Sequence, residues 1–343
     1  MPVLRQAFGR LKDGRGVDRL VLRDPRSDFS VELIEYGATI RAIHVPMGPR
    51  RAINAVLSYP ALSDYESGNV YLGATIGRCA GRTAADGRGS LRLSRNEAAN
   101  HLHGGSTGFS HSLWRTVTVD DGDAPRVRLR HHSPAGEDGY PGELIVDAEF
   151  RLADSLTLSV VLEARSTCDT PLNMTLHPYF NLSGDASRSV DEHRLRIDAG
   201  AVLPLDARRL PTGDTMAVDG TPFDFRQPRA IGAYRYDGHE QLRISGGYDH
   251  YFVLPGHGAA AAADLYSPES SLGLRLSTNQ RGLQFYSGNQ LDLARPVPFA
   301  PRSALCLEPH GFPNAINEPR FPAITLRAGE TYRHETHYAF YRR

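Results

Sequence analysis

The chain has 343 residues, 40% of them hydrophobic, with 39 basic against 39 acidic side chains and a formal net charge of zero. That balance excludes nucleic acid or an anionic membrane surface as the main partner, since both select a basic excess. No stretch approaches the roughly 18 apolar residues of a membrane span, residues 1–11 lack the apolar core of a secretory signal, and the three widely spaced cysteines, Cys79, Cys168 and Cys306, read as reduced thiols of a cytoplasmic protein with no metal-ligand spacing among them.

In chain order, period-two alternation of apolar and polar residues predicts strands over 29–36, 38–45, 126–130, 143–152, 156–164, 272–278, 282–286 and 331–341. The alanine-rich stretch 259–265 reads as a loop entering a strand. Helical periodicity is nearly absent, and 33 glycines and 23 prolines punctuate the short segments. No composition shift or tandem repeat marks a boundary. Many short strands separated by turn signals predict one large all-β domain over 1–343, a sandwich or barrel. The apolar run 304–307 predicts a buried strand ending at Glu308, because Pro309 holds Glu308 extended and cannot donate to a ladder. On composition alone Glu308 reads first as a solvated strand end, since glutamate is mostly exposed.

Several stretches carry candidate chemistry. In 73–83, small residues flank Arg78 and Arg82, either of which presents a guanidinium to a polar ligand or pairs with a carboxylate. The Gly-x-x-x-Gly spacing there lacks the Lys-Ser/Thr of a phosphate loop. In 100–114, His101 and His103 alternate about Leu102 and would share one face of a strand, with Gly104 and Gly105 free to turn at positive φ. Two histidines suit zinc, but no third ligand follows at a fitting spacing, so an imidazole that binds sugar or moves protons is the better reading. Trp114 reads as core. His177, before Pro178 and beside Tyr179 and Phe180, is a second proton-transfer candidate or a half-buried structural histidine. Asp249, Gln284 and Asn289 are polar groups suited to orienting hydroxyls. A Gly-x-Ser-x-Gly elbow and a Cys-His nucleophile signature are missing, so covalent acyl transfer has no support.

Together these stretches resemble the aldose 1-epimerase (galactose mutarotase) family. The resemblance rests on 73–82, Leu-His-Gly-Gly at 102–105 with Gly108-Phe109 and Trp114, and Glu137-Asp-Gly-Tyr-Pro-Gly-Glu-Leu. It continues through His177-x-Tyr-Phe-Asn-Leu, Leu210-Pro-Thr-Gly, Phe223-Asp-Phe-Arg, Tyr248-Asp-His, Gly282-Leu-Gln-Phe-Tyr-Ser-Gly-Asn and Leu307-Glu-Pro, in the family's order. The resemblance implies a large antiparallel β-sandwich of the galactose mutarotase-like supersandwich kind. It also implies interconversion of α and β anomers of a free aldose without cofactor or metal, by a monomer or homodimer whose partner is a monosaccharide. Glu308 would take the C1 hydroxyl proton as an ionised base, and His177, resting protonated, would protonate the ring oxygen. Arg82, His103, Asp249 and Gln284 fall on substrate-contacting positions.

Three departures surround the implied sugar: Gly81 where the family often has Asn, Pro178 after His177, and His310 where Gln is frequent. They direct attention to 310–319 as the cleft wall that reports which sugar fits. The competing readings are an epimerase of a phosphorylated hexose, which calls for additional basic groups, and a sugar-binding module without turnover. His101, His250 and His310 are expected to be structural or rim histidines.

Overall fold

The computed structural model describes residues 2–85, 91–154, 156–234, 237–256 and 261–343. Three antiparallel sheets make up most of it. A five-stranded meander takes Val3–Arg10, Gly16–Arg23, Ser30–Ile34, Thr39–Gly48 and Arg51–Asn54 in sequence order. A nine-stranded sheet has the long closing strand Tyr332–Arg342 between Leu272–Thr278 and Thr157–Ser166. A six-stranded sheet sets Leu305–His310 beside Gly282–Tyr286 and that beside Asp249–Val253. One apolar cluster draws on all three, from Val31 and Ile43 through Val146 and Leu274 to Phe285 and Leu307. The all-β reading stands, and strands 272–278 and 282–286 fall where alternation places them.

Alternation explains the burial. Along Leu144–Leu152, Leu144, Val146, Ala148, Phe150 and Leu152 are buried, one face of a period-two pleat. Trp114 is fully buried and donates its indole N–H to the Phe109 carbonyl, as a core tryptophan should. Of the alanine-rich stretch, 259 and 260 lie outside the described residues, and Ala263–Ser267 is the strand expected after them.

The near absence of helical periodicity fits the structure, in which the α-helices among the described residues are two six-residue pieces, Leu62–Ser67 and Glu240–Ser245, each under two turns and so too short to leave a period in the sequence. The expected end of the strand at Glu308 needs correction. The strand beginning at Leu305 does not stop there: it runs through Pro309 to His310, with Pro309 opposite Leu283. Its other neighbour, Tyr179–Phe180, pairs only as far as Cys306. Pro309 therefore sits where the strand is a sheet edge, the position at which a missing N–H is tolerated.

Arg78, read as a ligand-binding or carboxylate-pairing residue, does neither. It is buried and donates to the carbonyls of Ser133, Pro134, Pro141 and Gly142 and to the hydroxyls of Ser133 and Thr170. Arg78→Met would strand several of these acceptors at about 1–3 kcal/mol each before water compensates. It is expected to lower stability by about 3 kcal/mol, seen as a lower urea midpoint at unchanged slope.

Candidate active site

The six-stranded sheet supplies one wall of a cleft of about 250 Å³, at the small end of ligand sites. Gln284 pairs directly with Glu308 on one side and with Tyr251 on the other, and Asp249 pairs with Tyr286. Residues opposite one another, and residues two apart, share a face of the pleat. Asp249, Tyr251, Gln284, Tyr286, Glu308 and His310 therefore all line the cleft, while Leu283, Phe285, Leu305 and Leu307 enter the core behind them. The strand alternation that builds the core thus also aligns the polar groups.

The opposite wall comes from loops. Arg82 opens a two-stranded ribbon, Arg82–Ala84 against Asn100–Leu102. His103 follows in the left-handed region at φ 51°, a conformation histidine tolerates better than most residues. That twist separates the two histidines expected to share a face. His101 turns inward, with Nδ1 at 2.8 Å from the Ser94 carbonyl and Nε2 at 2.8 Å from the Tyr140 hydroxyl. His103 enters the cleft. The turn depends on Gly104 at φ 87°, where a Cβ would lie 1.7 Å from the Gly77 carbonyl oxygen. His177 sits just beyond the strand Thr175–Leu176, its N–H donated to the Ala74 carbonyl and its own carbonyl accepting from Gly73. Its ring stacks on Tyr179 at 5.0 Å between centroids and meets His103 edge-on at 5.2 Å.

These placements bring together around one cleft the six residues that the family resemblance implied, Arg82, His103, His177, Asp249, Gln284 and Glu308. His177 Nε2 lies 3.6 Å from Glu308 Oε2, both side chains almost fully buried. Asp249 accepts from Arg82 Nη1 at 3.1 Å and from Gln284 Nε2 at 2.8 Å. Glu97 grips Arg82 in a bidentate pair at 2.7 and 3.0 Å and accepts from Arg209 at 2.9 Å.

The sequence profile of the aldose 1-epimerase family matches residues 18–339. The chain is 38% identical over 350 residues to the galactose mutarotase of Homo sapiens, covering 98% of both chains, and 34% identical over 340 residues to the aldose 1-epimerase of Escherichia coli K12, covering 96% of both. The chain belongs to the aldose 1-epimerase family. Its fold is also similar to that of the galactose 1-epimerase of Lactobacillus acidophilus NCFM, with a TM-score of 0.86, 28% identity and coverage of 99% and 98%.

Electrostatics corrects the protonation states expected for the pair in this aldose epimerase. Burial, aided by the Asp249 charge and opposed by Arg82, raises the Glu308 carboxyl well above its ordinary range. Burial lowers His177 to about 4. In the empty cleft burial thus favours the neutral form of each group. Glu308 Oε2 has no hydrogen-bond partner among the described residues, so no hydrogen bond to that oxygen offsets the cost of burying the anion. Asp249 differs: burial alone would raise it, but Arg82 and the Gln284 amide keep it below the ordinary range.

The ligand atoms of His103, His177 and Glu308 lie within 4.8 Å of one another, a set of donors that sequence spacing did not show. The groups around them fit a cation poorly. His103 Nδ1 accepts the Gly81 N–H at 3.3 Å, so the neutral ring carries its proton on Nε2. Metal-bound imidazoles have the reverse arrangement, donating from the nitrogen remote from the metal. His103 is set as a hydrogen-bond donor.

Of the remaining nominees, Asn289 is structural, donating to the carbonyls of Ser245 and Tyr248. His250 is buried behind the wall against Phe223. His310, expected at most at the rim, lines the cleft, and of 310–319 only Pro313 joins it. Sequence reasoning missed Glu97, Arg209 and Tyr71, which also line the cleft. Glu97 joins Arg82 and Arg209, which lie 15 and 112 residues from it in the chain, and no periodic pattern signals such contacts.

Proposed function

We infer that the protein is an aldose 1-epimerase that interconverts the α and β anomers of a free aldose such as galactose or glucose, with Glu308 as base and His177 as acid. The observation that carries the roles is the 3.6 Å approach of His177 Nε2 to Glu308 Oε2 at the floor of a polar-walled cleft. Ring opening removes the proton on O1 and delivers one to the ring oxygen. The C1–O5 bond breaks, its electron pair goes to O5, and an O1 lone pair forms the carbonyl. Glu308 takes the first proton and His177 Nε2 gives the second. Rotation about C1–C2 and the reverse transfers close the ring on the other face.

Both protonation states of the pair hold one proton. Carboxylate with imidazolium faces the closed ring, and carboxyl with imidazole faces the open-chain aldehyde. Burial favours the second state in the empty cleft. Sugar hydroxyls donated to Glu308 would stabilise the first, and burial then helps drive the ring open. His103, donating from Nε2, and Arg82 are placed to stabilise charge developing on the sugar oxygens.

A phosphorylated substrate fits less well. Among the described residues, the two arginines of the cleft, Arg82 and Arg209, are both ion-paired to Glu97, which leaves no guanidinium unpaired for a phosphate. No helix among the described residues is long and apolar enough to cross a membrane. The test is to add the protein to freshly dissolved α-D-glucose, α-D-galactose and pentoses and follow optical rotation or one-dimensional NMR. Equilibration faster than the buffer blank is expected for at least one sugar, and blank rates for all would reject the reading.

A further inference from the structure

His310 has a buried ring with one nitrogen committed and the other not. Its Nδ1 lies 2.5 Å from the Gly311 carbonyl oxygen. Since a carbonyl only accepts, Nδ1 carries the proton. Nε2 of the neutral ring is then a bare acceptor, and it has no hydrogen-bond partner in the protein. The ring is fully buried and lines the cleft two residues along the same strand face from Glu308. Tyr251 packs against it at 5.2 Å between centroids and spends its own hydroxyl on the His310 carbonyl, so it cannot donate to Nε2. Gly81 keeps this wall open: a Cβ there would lie 3.0 Å from Pro313 Cβ and 3.9 Å from His310 Cε1. A buried acceptor with no donor lowers stability, and such groups persist at sites where a ligand supplies the missing partner.

We propose that His310 Nε2 accepts a hydrogen bond from one hydroxyl of the bound aldose, which makes His310 a specificity-determining residue that selects sugars by that hydroxyl. The proposal rests on the aldose 1-epimerase reading of the same cleft. It assigns His310 the complementary role to His103: His103 donates to sugar oxygens, and His310 requires a sugar O–H. An aldose lacking that hydroxyl would leave Nε2 unpaired in the complex and would be turned over more slowly, because a site built to bond a hydroxyl discriminates against its absence.

The test compares the best aldohexose with its 2-, 3-, 4- and 6-deoxy analogues in the wild type, His310→Leu and His310→Gln. Each kcat/KM ratio of parent to analogue is taken within one protein preparation, so incomplete folding of a variant cancels. The expected result is a wild-type ratio of about tenfold or more for one analogue. That ratio should fall to near one in His310→Leu, which has no acceptor, and recover in His310→Gln, which has one. Ratios that are the same in the wild type and His310→Leu for every analogue would overturn the assignment while leaving the epimerase reading intact. A wild type that accelerates no sugar would overturn both.

Discussion

Glu308→Gln is expected to lower kcat for anomer interconversion by about 10²–10⁴-fold, the range for loss of a positioned general base. The amide keeps the shape of the carboxyl and its place opposite Gln284, so KM should change little, the pattern of an interaction made mainly in the transition state. Stability should not fall, because Glu308 Oε2 has no protein partner to lose. His177→Asn should cost a comparable factor. The double variant should cost little more than either alone, since the two groups pass one proton between them and act as a unit. Steady-state polarimetry of the four proteins checks this. A Glu308→Gln enzyme with wild-type kcat would show that the base is elsewhere.

The contrast between Glu308 and Asp249 shows how much of this site was legible in the sequence. Alternation located the strand of Gln284 and an apolar run the strand that delivers Glu308, and a period of two fixes facing within each strand without any knowledge of its neighbours, but the face that Asp249, Gln284 and Glu308 share follows from the pairing of three strands. The ordered motifs carried the family, and through it His103 and His177. What alternation cannot carry is the environment of each carboxylate. Asp249 is held charged by Arg82, 167 residues away in the chain, whereas Glu308 Oε2 has no hydrogen-bond partner among the described residues. Burial and pairing belong to the folded arrangement, so the sequence could not show that burial opposes the ionised glutamate and protonated histidine expected of the pair. The continuation of the strand through Pro309 failed for a related reason. A proline rule read from sequence assumes two ladder partners, and this strand has one there. Arg78 and Arg82 are indistinguishable by local pattern, yet one saturates core carbonyls and the other anchors the cleft.

Mild acid should destabilise the protein well before its ordinary carboxylates titrate. Burial lowers His131, His193, His250 and His310 to about 4 and His334 to about 3, whereas the unfolded chain titrates its histidines near 6.5. Between those values the unfolded state binds protons that the native state refuses, so stability falls as pH drops from about 6.5 to about 4. The loss is on the order of 1 kcal/mol per histidine by pH 5, a sizeable share of the 5–15 kcal/mol that holds a typical domain together. The urea midpoint should therefore fall steeply from pH 7 to pH 5, and a flat midpoint would refute neutral buried histidines. Glu308 works in the opposite sense. Its raised native pKa means that the folded state holds a proton which the unfolded carboxylate releases above its ordinary pKa, so this group stabilises the fold as pH falls and offsets part of the loss. Glu308→Gln removes that difference in bound protons, so the variant should lose stability more steeply on acidification than the wild type. The difference between the two slopes reads the protonation of Glu308 in the empty cleft without any sugar being turned over.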